Sequence, residues 1–152
     1  PSVDLDALVS VGFSGGALFN TVILSHRADT LAASVQMSGG ADIEVATFSN
    51  PFSAYQTPVT KVPVFLTSGG TDDVWTNSSF PVVDFSNATA NLFERLQTDG
   101  HVTVLCEHNT GHYITNRAYT QSIDWMMDHR FGEASPFENP IANWEDWCTW
   151  GE

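Results

Sequence analysis

At 152 residues with 42% hydrophobic content, the chain can hold one hydrophobic core and is too short for two of ordinary size. Five Lys and Arg face eighteen Asp and Glu, a formal charge of −13; such a surface repels nucleic acid and anionic lipid and removes both from the expected partners. No run of ~18 or more apolar residues occurs, so no membrane-spanning helix is expected.

The acidic residues are spread along the chain and read as a solvated surface rather than an interaction tail. No signal-peptide pattern precedes the first apolar run at residues 7–11, which predicts a strand. Gly12-Phe13-Ser14-Gly15-Gly16 follows it directly, and residues 17–24 continue as an apolar helix. Residues 31–38 form a second short apolar run ended by Gly39-Gly40, read as a strand. Residues 41–61 hold Pro51, Pro58 and many Ser and Thr without periodicity, and predict a loop. Residues 62–67 predict a third strand, with Pro63 near its start where a missing donor is tolerated. Residues 68–73 then turn the chain.

Asp84 or Ser86 can cap a helix running to about Thr98, with Ala88, Leu92, Phe93 and Leu96 on one face and Gly100 as its stop. Residues 101–107 predict the fourth strand and 116–129 a further helix. The tail holds Trp144, Trp147 and Trp150 without a regular period, which suits packing anchors better than a binding platform. Strands alternating with helices indicate a parallel sheet with right-handed crossovers, an α/β fold. Cys106 and Cys148 either pair or remain two unreactive thiols, the first buried in a strand. No C-x-x-C or histidine cluster with ligand spacing occurs, so no metal is implied.

Gly12 to Gly16 (GFSGG) fits the G-x-S-x-G pattern of a nucleophile elbow, and its strand-turn-helix setting is the context that pattern requires. The turn strains the serine backbone, and side chains at 12 and 16 are expected to collide across it. In an open parallel sheet, reactive groups gather beyond the carboxyl ends of the strands. Three strand ends carry a serine, then aspartates, then histidines: Ser14, then Asp72 and Asp73, then His108 and His112. A serine needs a base to take its proton, and imidazole titrates near neutrality. A carboxylate fixes the imidazole tautomer, and the Gly15 N–H at the helix start is the expected first oxyanion donor. His26, His101 and His129 lie at element ends and read as surface or capping residues. Phe13 and Trp75 are the candidates to line a substrate pocket; for Trp75, simple packing beside the sheet is an equal reading.

These segments resemble polyhydroxybutyrate depolymerase-like and feruloyl-esterase-like α/β-hydrolases over roughly residues 3–132. VDLDALVSVGFSGG (residues 3–16) is similar to the segment around the family's nucleophile. SGGTDDVW (residues 68–75) resembles the strand-end motif H-G-T-x-D-x-x-V, with serine in place of the usual histidine, and laid on without gaps it puts the catalytic acid on Asp72. CEHNTGH (residues 106–112) is similar to C-x-H-x-x-G-H, whose last histidine is the base. That selects His112, with Gly111 allowing a tight approach and His108 supporting the loop. The resemblance implies a secreted serine hydrolase, without cofactor or metal, cleaving polyester, aromatic or short-chain esters through an acyl-enzyme. It divides the chain into a partial α/β-hydrolase domain over 1–132 and a Trp-rich strap over 133–152.

The family places several strands before the elbow, and a second oxyanion donor comes from that region; this chain has almost none of it. About four parallel strands would leave an edge exposed: the alternatives are a piece of a longer hydrolase, a minimal hydrolase whose loops, residues 39–61 among them, supply the missing donor, and a homodimer completing the sheet, which is the expected remedy. A non-catalytic binding or assembly module that keeps the motifs is the rival expectation.

Overall fold

The computed structural model describes residues 2–43, 54–77, 80–137, 144 and 146–151. Its centre is a five-stranded sheet in the order β1 (Val9–Phe13), β2 (Ala33–Met37), β3 (Val64–Ser68), β6 (Thr103–Glu107), β7 (Cys148–Trp150). The first four are parallel, as the alternating element pattern predicts; β7 runs antiparallel to β6. Every residue of β2 and β3 is buried, which is why these strands read as continuous apolar runs rather than alternating ones.

Alternation sorts their side chains between two layers. Val64 and Leu66 of β3 pack with Leu24 of α1 (Gly15–Arg27) and with Leu92 and Leu96 of α2 (Phe85–Thr98) on one face. Phe65, one residue out of phase, packs on the other face with Val35, Val104 and Trp125 of α3 (Asn116–Asp128). Asp84 caps α2 by accepting from the Asn87 N–H, and Thr115 caps α3 by accepting from the Ala118 N–H. Such caps satisfy amides that the first turn leaves free.

Two elements escaped sequence reasoning. The strands β4 (Val74–Asn77) and β5 (Phe80–Asp84) pair antiparallel, with an irregularity between Trp75 and Asn77. Val74, Trp75 and Val82 are exposed, and among the described side chains of the pair Val83 is the only buried hydrophobic, too little to mark a stripe. The strand β7 is also unannounced by period. Cys106 and Cys148, directly paired in register, are joined by a disulfide. Around that bond Trp125, Trp144, Trp150 and Phe137 pack ring against ring on Phe65, which supports the packing role expected of the tail tryptophans. Among the described residues, no helix is long and apolar enough to cross a membrane.

Candidate active site

Ser14 sits between β1 and α1 at φ 55° and ψ −125°, a conformation that costs a non-glycine residue about 1–3 kcal/mol. Main-chain bonds hold it there. Its N–H donates to the Met37 carbonyl at the end of β2 (3.0 Å), and its own carbonyl accepts from Ala17 and Leu18 (2.9 and 3.0 Å). The helix is therefore capped by the serine carbonyl, and the side chain makes no capping bond. That leaves Oγ for another partner. The collision expected across the turn is one-sided: a Cβ at Gly12 would lie 2.4 Å from the Gly16 carbonyl group, whereas one at Gly16 would meet open space.

Beyond β3, a single 3-10 turn over Gly70–Asp72 shifts the chain by a residue. The residue that meets His112 is Asp73 and not Asp72, the position the gap-free resemblance implies. Asp72 ends that turn with its side chain exposed, while Asp73 is fully buried and faces His112. The Asp73 N–H closes the turn on the Gly70 carbonyl (2.9 Å), and its Oδ2 accepts from the Gly69 N–H (2.8 Å). With main chain and side chain both folded back, its Oδ1 is left pointing at the histidine loop.

That loop is held against the acid turn by backbone contact. The Gly111 N–H donates to the Gly69 carbonyl (3.0 Å), and a Cβ at Gly69 would lie 2.0 Å from the Gly111 oxygen. Gly111 itself is at φ 76°, a left-handed conformation that glycine adopts without a Cβ clash. The next residue, His112, has Nδ1 2.7 Å from Asp73 Oδ1 and Nε2 2.9 Å from Ser14 Oγ. A carboxylate only accepts, so Nδ1 carries the proton and Nε2 is free to accept from the serine hydroxyl. Ser14, His112 and Asp73 thus form one hydrogen-bonded chain drawn from three strand ends.

Phe13 of β1 stacks on the imidazole at 4.9 Å between centroids. Phe85, the first residue of α2, stacks on it at 4.4 Å. Sequence reasoning placed Phe13 here only as a pocket residue and missed Phe85. Its one signal was its place directly after a candidate cap, and the intervening β4–β5 pair that delivers it carried none. Gly15 is exposed at the start of α1, and a Cβ added there would meet nothing. Trp75 stands on β4, 39% exposed. A polar cleft of about 550 Å³, lined by residues including Asp42, Asp84, Asn87 and Arg95, contains no member of the Ser14–His112–Asp73 chain.

The remaining histidines separate cleanly. His108 supports its loop: the Thr110 hydroxyl and amide lie 2.7 and 3.4 Å from Nδ1, and burial pushes its pKa down. His101 and His129 are buried rather than superficial. His101 Nδ1 lies 2.8 Å from the Val62 carbonyl, and His129 Nδ1 lies 2.6 Å from the Trp125 carbonyl at the end of α3. Desolvation lowers both pKa values.

No family model and no curated protein matches the chain. Its fold does have solved counterparts, and they are α/β-hydrolases. Native pOPH matches with a TM-score of 0.72 at 17% identity, over 98% of this chain and 55% of that one; a serine-to-alanine variant of pOPH is also seen in complex with pNPB. Native sOPH matches with a TM-score of 0.74 at 16% identity, over 97% of this chain and 54% of that one. The Bacillus cereus carboxylesterase matches with a TM-score of 0.57 at 18% identity, over 82% and 50% respectively. The chain therefore has a partial α/β-hydrolase fold and spans about half the length of these structures.

Proposed function

We propose that the chain is a serine esterase with Ser14 as nucleophile, His112 as base and acid, and Asp73 as the orienting carboxylate. The observation that carries this reading is the continuous chain Ser14 Oγ, His112 Nε2, His112 Nδ1, Asp73 Oδ1, with links of 2.9 and 2.7 Å. As Ser14 Oγ bonds to the ester carbon, its proton passes to Nε2, and Asp73 stabilises the imidazolium that forms. The carbonyl oxygen becomes an oxyanion beside the Gly15 N–H. Collapse of this intermediate expels the alcohol, which takes the proton from Nε2. Water then repeats the sequence on the acyl-enzyme and releases the acid.

Esters of the polyester, aromatic or short-chain type are the proposed substrates, supported by the family resemblance of the three motifs and by the pOPH complex with pNPB. Phe13 and Trp75 are the proposed substrate-side aromatics. Secretion is proposed as well, supported by the Cys106–Cys148 disulfide, since such bonds persist chiefly in oxidising compartments.

Hydrolysis of a short-chain p-nitrophenyl ester by wild type and by Ser14→Ala tests the reading. Release by wild type that the substitution abolishes supports the esterase. Equal background rates in both variants would leave a non-catalytic module with a hydrolase fold.

A further inference from the structure

We propose that Phe85 is a positioning residue for His112: with Phe13 it clamps the imidazole between two phenyl faces, and its main chain ties that clamp to Asp73. The proposal rests on the esterase reading of the same site.

Both phenyl rings stack close to the imidazole, at 4.9 and 4.4 Å between centroids. The Phe13 and Phe85 rings lie 28° and 22° from the plane of the imidazole, and the His112 side chain is only 15% exposed. The walls come from different elements, β1 and α2. Phe85 is itself immobilised, 3% exposed within a cluster of Leu18, Ile43, Val83 and Ala88. A histidine on a loop can ordinarily turn about its side-chain bonds; two stacked rings resist that turn. Within the imidazole plane the two nitrogen edges meet Asp73 and Ser14.

Phe85 also controls the acid. Its N–H donates to the Asp73 carbonyl at 2.9 Å, and the Ser86 N–H donates to the same oxygen at 3.1 Å. One residue therefore presses on the base through its ring and holds the acid through its amide. Any shift of the first turn of α2 moves both together, which keeps the 2.7 Å contact between them. The plates also match the chemistry. When Nε2 takes the serine proton, the resulting imidazolium lies against two π faces that attract a cation. The attraction grows as the proton arrives, so it favours the protonated ring over the resting one.

Phe85→Leu keeps an apolar side chain and removes the plate. On a short-chain p-nitrophenyl ester we expect kcat to fall roughly 10- to 100-fold, the scale of a small misplacement at a reacting centre. KM should stay within about twofold, because no substrate contact is removed. Phe85→Tyr, which restores a ring, should recover most of the loss. In proton NMR spectra, the carbon-bound ring protons of His112 should lie upfield of those of exposed His26 and move downfield in Phe85→Leu. If Phe85→Leu fails to fold, Phe13→Leu removes the other ring and should give the same fall in kcat and the same downfield movement of the His112 resonances; KM is not a readout there, because Phe13 is also a proposed substrate-side aromatic. An unchanged kcat, or His112 resonances that do not move, would overturn the clamp. Equal turnover by wild type and Ser14→Ala would instead overturn the esterase reading, and the NMR comparison would still decide whether the clamp exists.

Discussion

The two edges of the sheet are finished in opposite ways. On the β7 side, a three-residue strand is bonded to β6 by main chain and by a disulfide. Arg117 adds an ion pair to Asp146 and lies over the Trp147 ring, and the tryptophans bury the end of the sheet. On the β1 side, Val9-Ser10-Val11-Gly12-Phe13 pairs with β2 alone among the described residues, and Val11 is 45% exposed. That edge has no charge, proline or bulge, the usual devices that protect a bare strand. The candidate site joins the two regions. His112 hangs from β6, the strand the strap clamps, and Ser14 is carried on β1. The lesson is that a link of 2.9 Å spans four strands of sheet, so its accuracy depends on how firmly each edge is held.

The most damaging way to break the comparison is to remove the group on the bare edge. Ser14→Ala should abolish ester turnover, by about 10⁶-fold if the three groups act as a unit, while leaving the circular dichroism spectrum unchanged. Beyond the central strand β3, Asp73→Asn should cost about 10⁴-fold in kcat, because the amide favours the wrong imidazole tautomer. Asp72→Asn, one residue away and exposed, should stay within about twofold of wild type. A large loss at Asp72 with little at Asp73 would reverse the assignment of the acid.

Stability separates the edges next. Cys148→Ala with Cys106→Ala opens a loop of 42 residues, worth about 4 kcal/mol by chain entropy. Thermal unfolding should move down by roughly 10 °C. Strap anchoring that rests on the tryptophans alone would show as a much smaller shift. For the β1 edge we propose pairing with a second copy. Light scattering after size exclusion should then give twice the 16.6 kDa of one chain, and Val11→Lys should return it to one. A monodisperse wild-type monomer removes that proposal.

The smallest expected effect is one of pH. His101 and His129 are held neutral by burial, with folded pKa values below the ordinary 6.5. The unfolded chain then binds more protons, so their contribution is complete above about pH 6.5 and is lost as pH falls below it. Calorimetry should show a melting temperature that is flat from pH 7 to 8 and declines on acidification past 6.5.

Much of this was legible before any coordinates. The four parallel strands and three helices followed from apolar runs broken by Gly and Pro, because burial and backbone punctuation are local properties of sequence. Ser14 was legible from its glycine-flanked motif, and the family resemblance chose His112 over His108. The choice between Asp72 and Asp73 was not, since both carboxylates share one turn. A single 3-10 step decides which of them faces the sheet, and family likeness pointed to the other. The β4–β5 pair was missed because, among its described side chains, only Val83 is a buried hydrophobic, and with it Phe85 was missed as a residue of the site.

By itself, then, the sequence determined the α/β class, the elbow serine and the histidine loop, because each is written in residues adjacent along the chain. Tertiary structure alone decided which aspartate meets His112, that Phe13 and Phe85 stack on it, and that Cys106 meets Cys148. Those outcomes depend on distances between segments far apart along the chain, Phe13 and His112 among them, and only packing sets such distances.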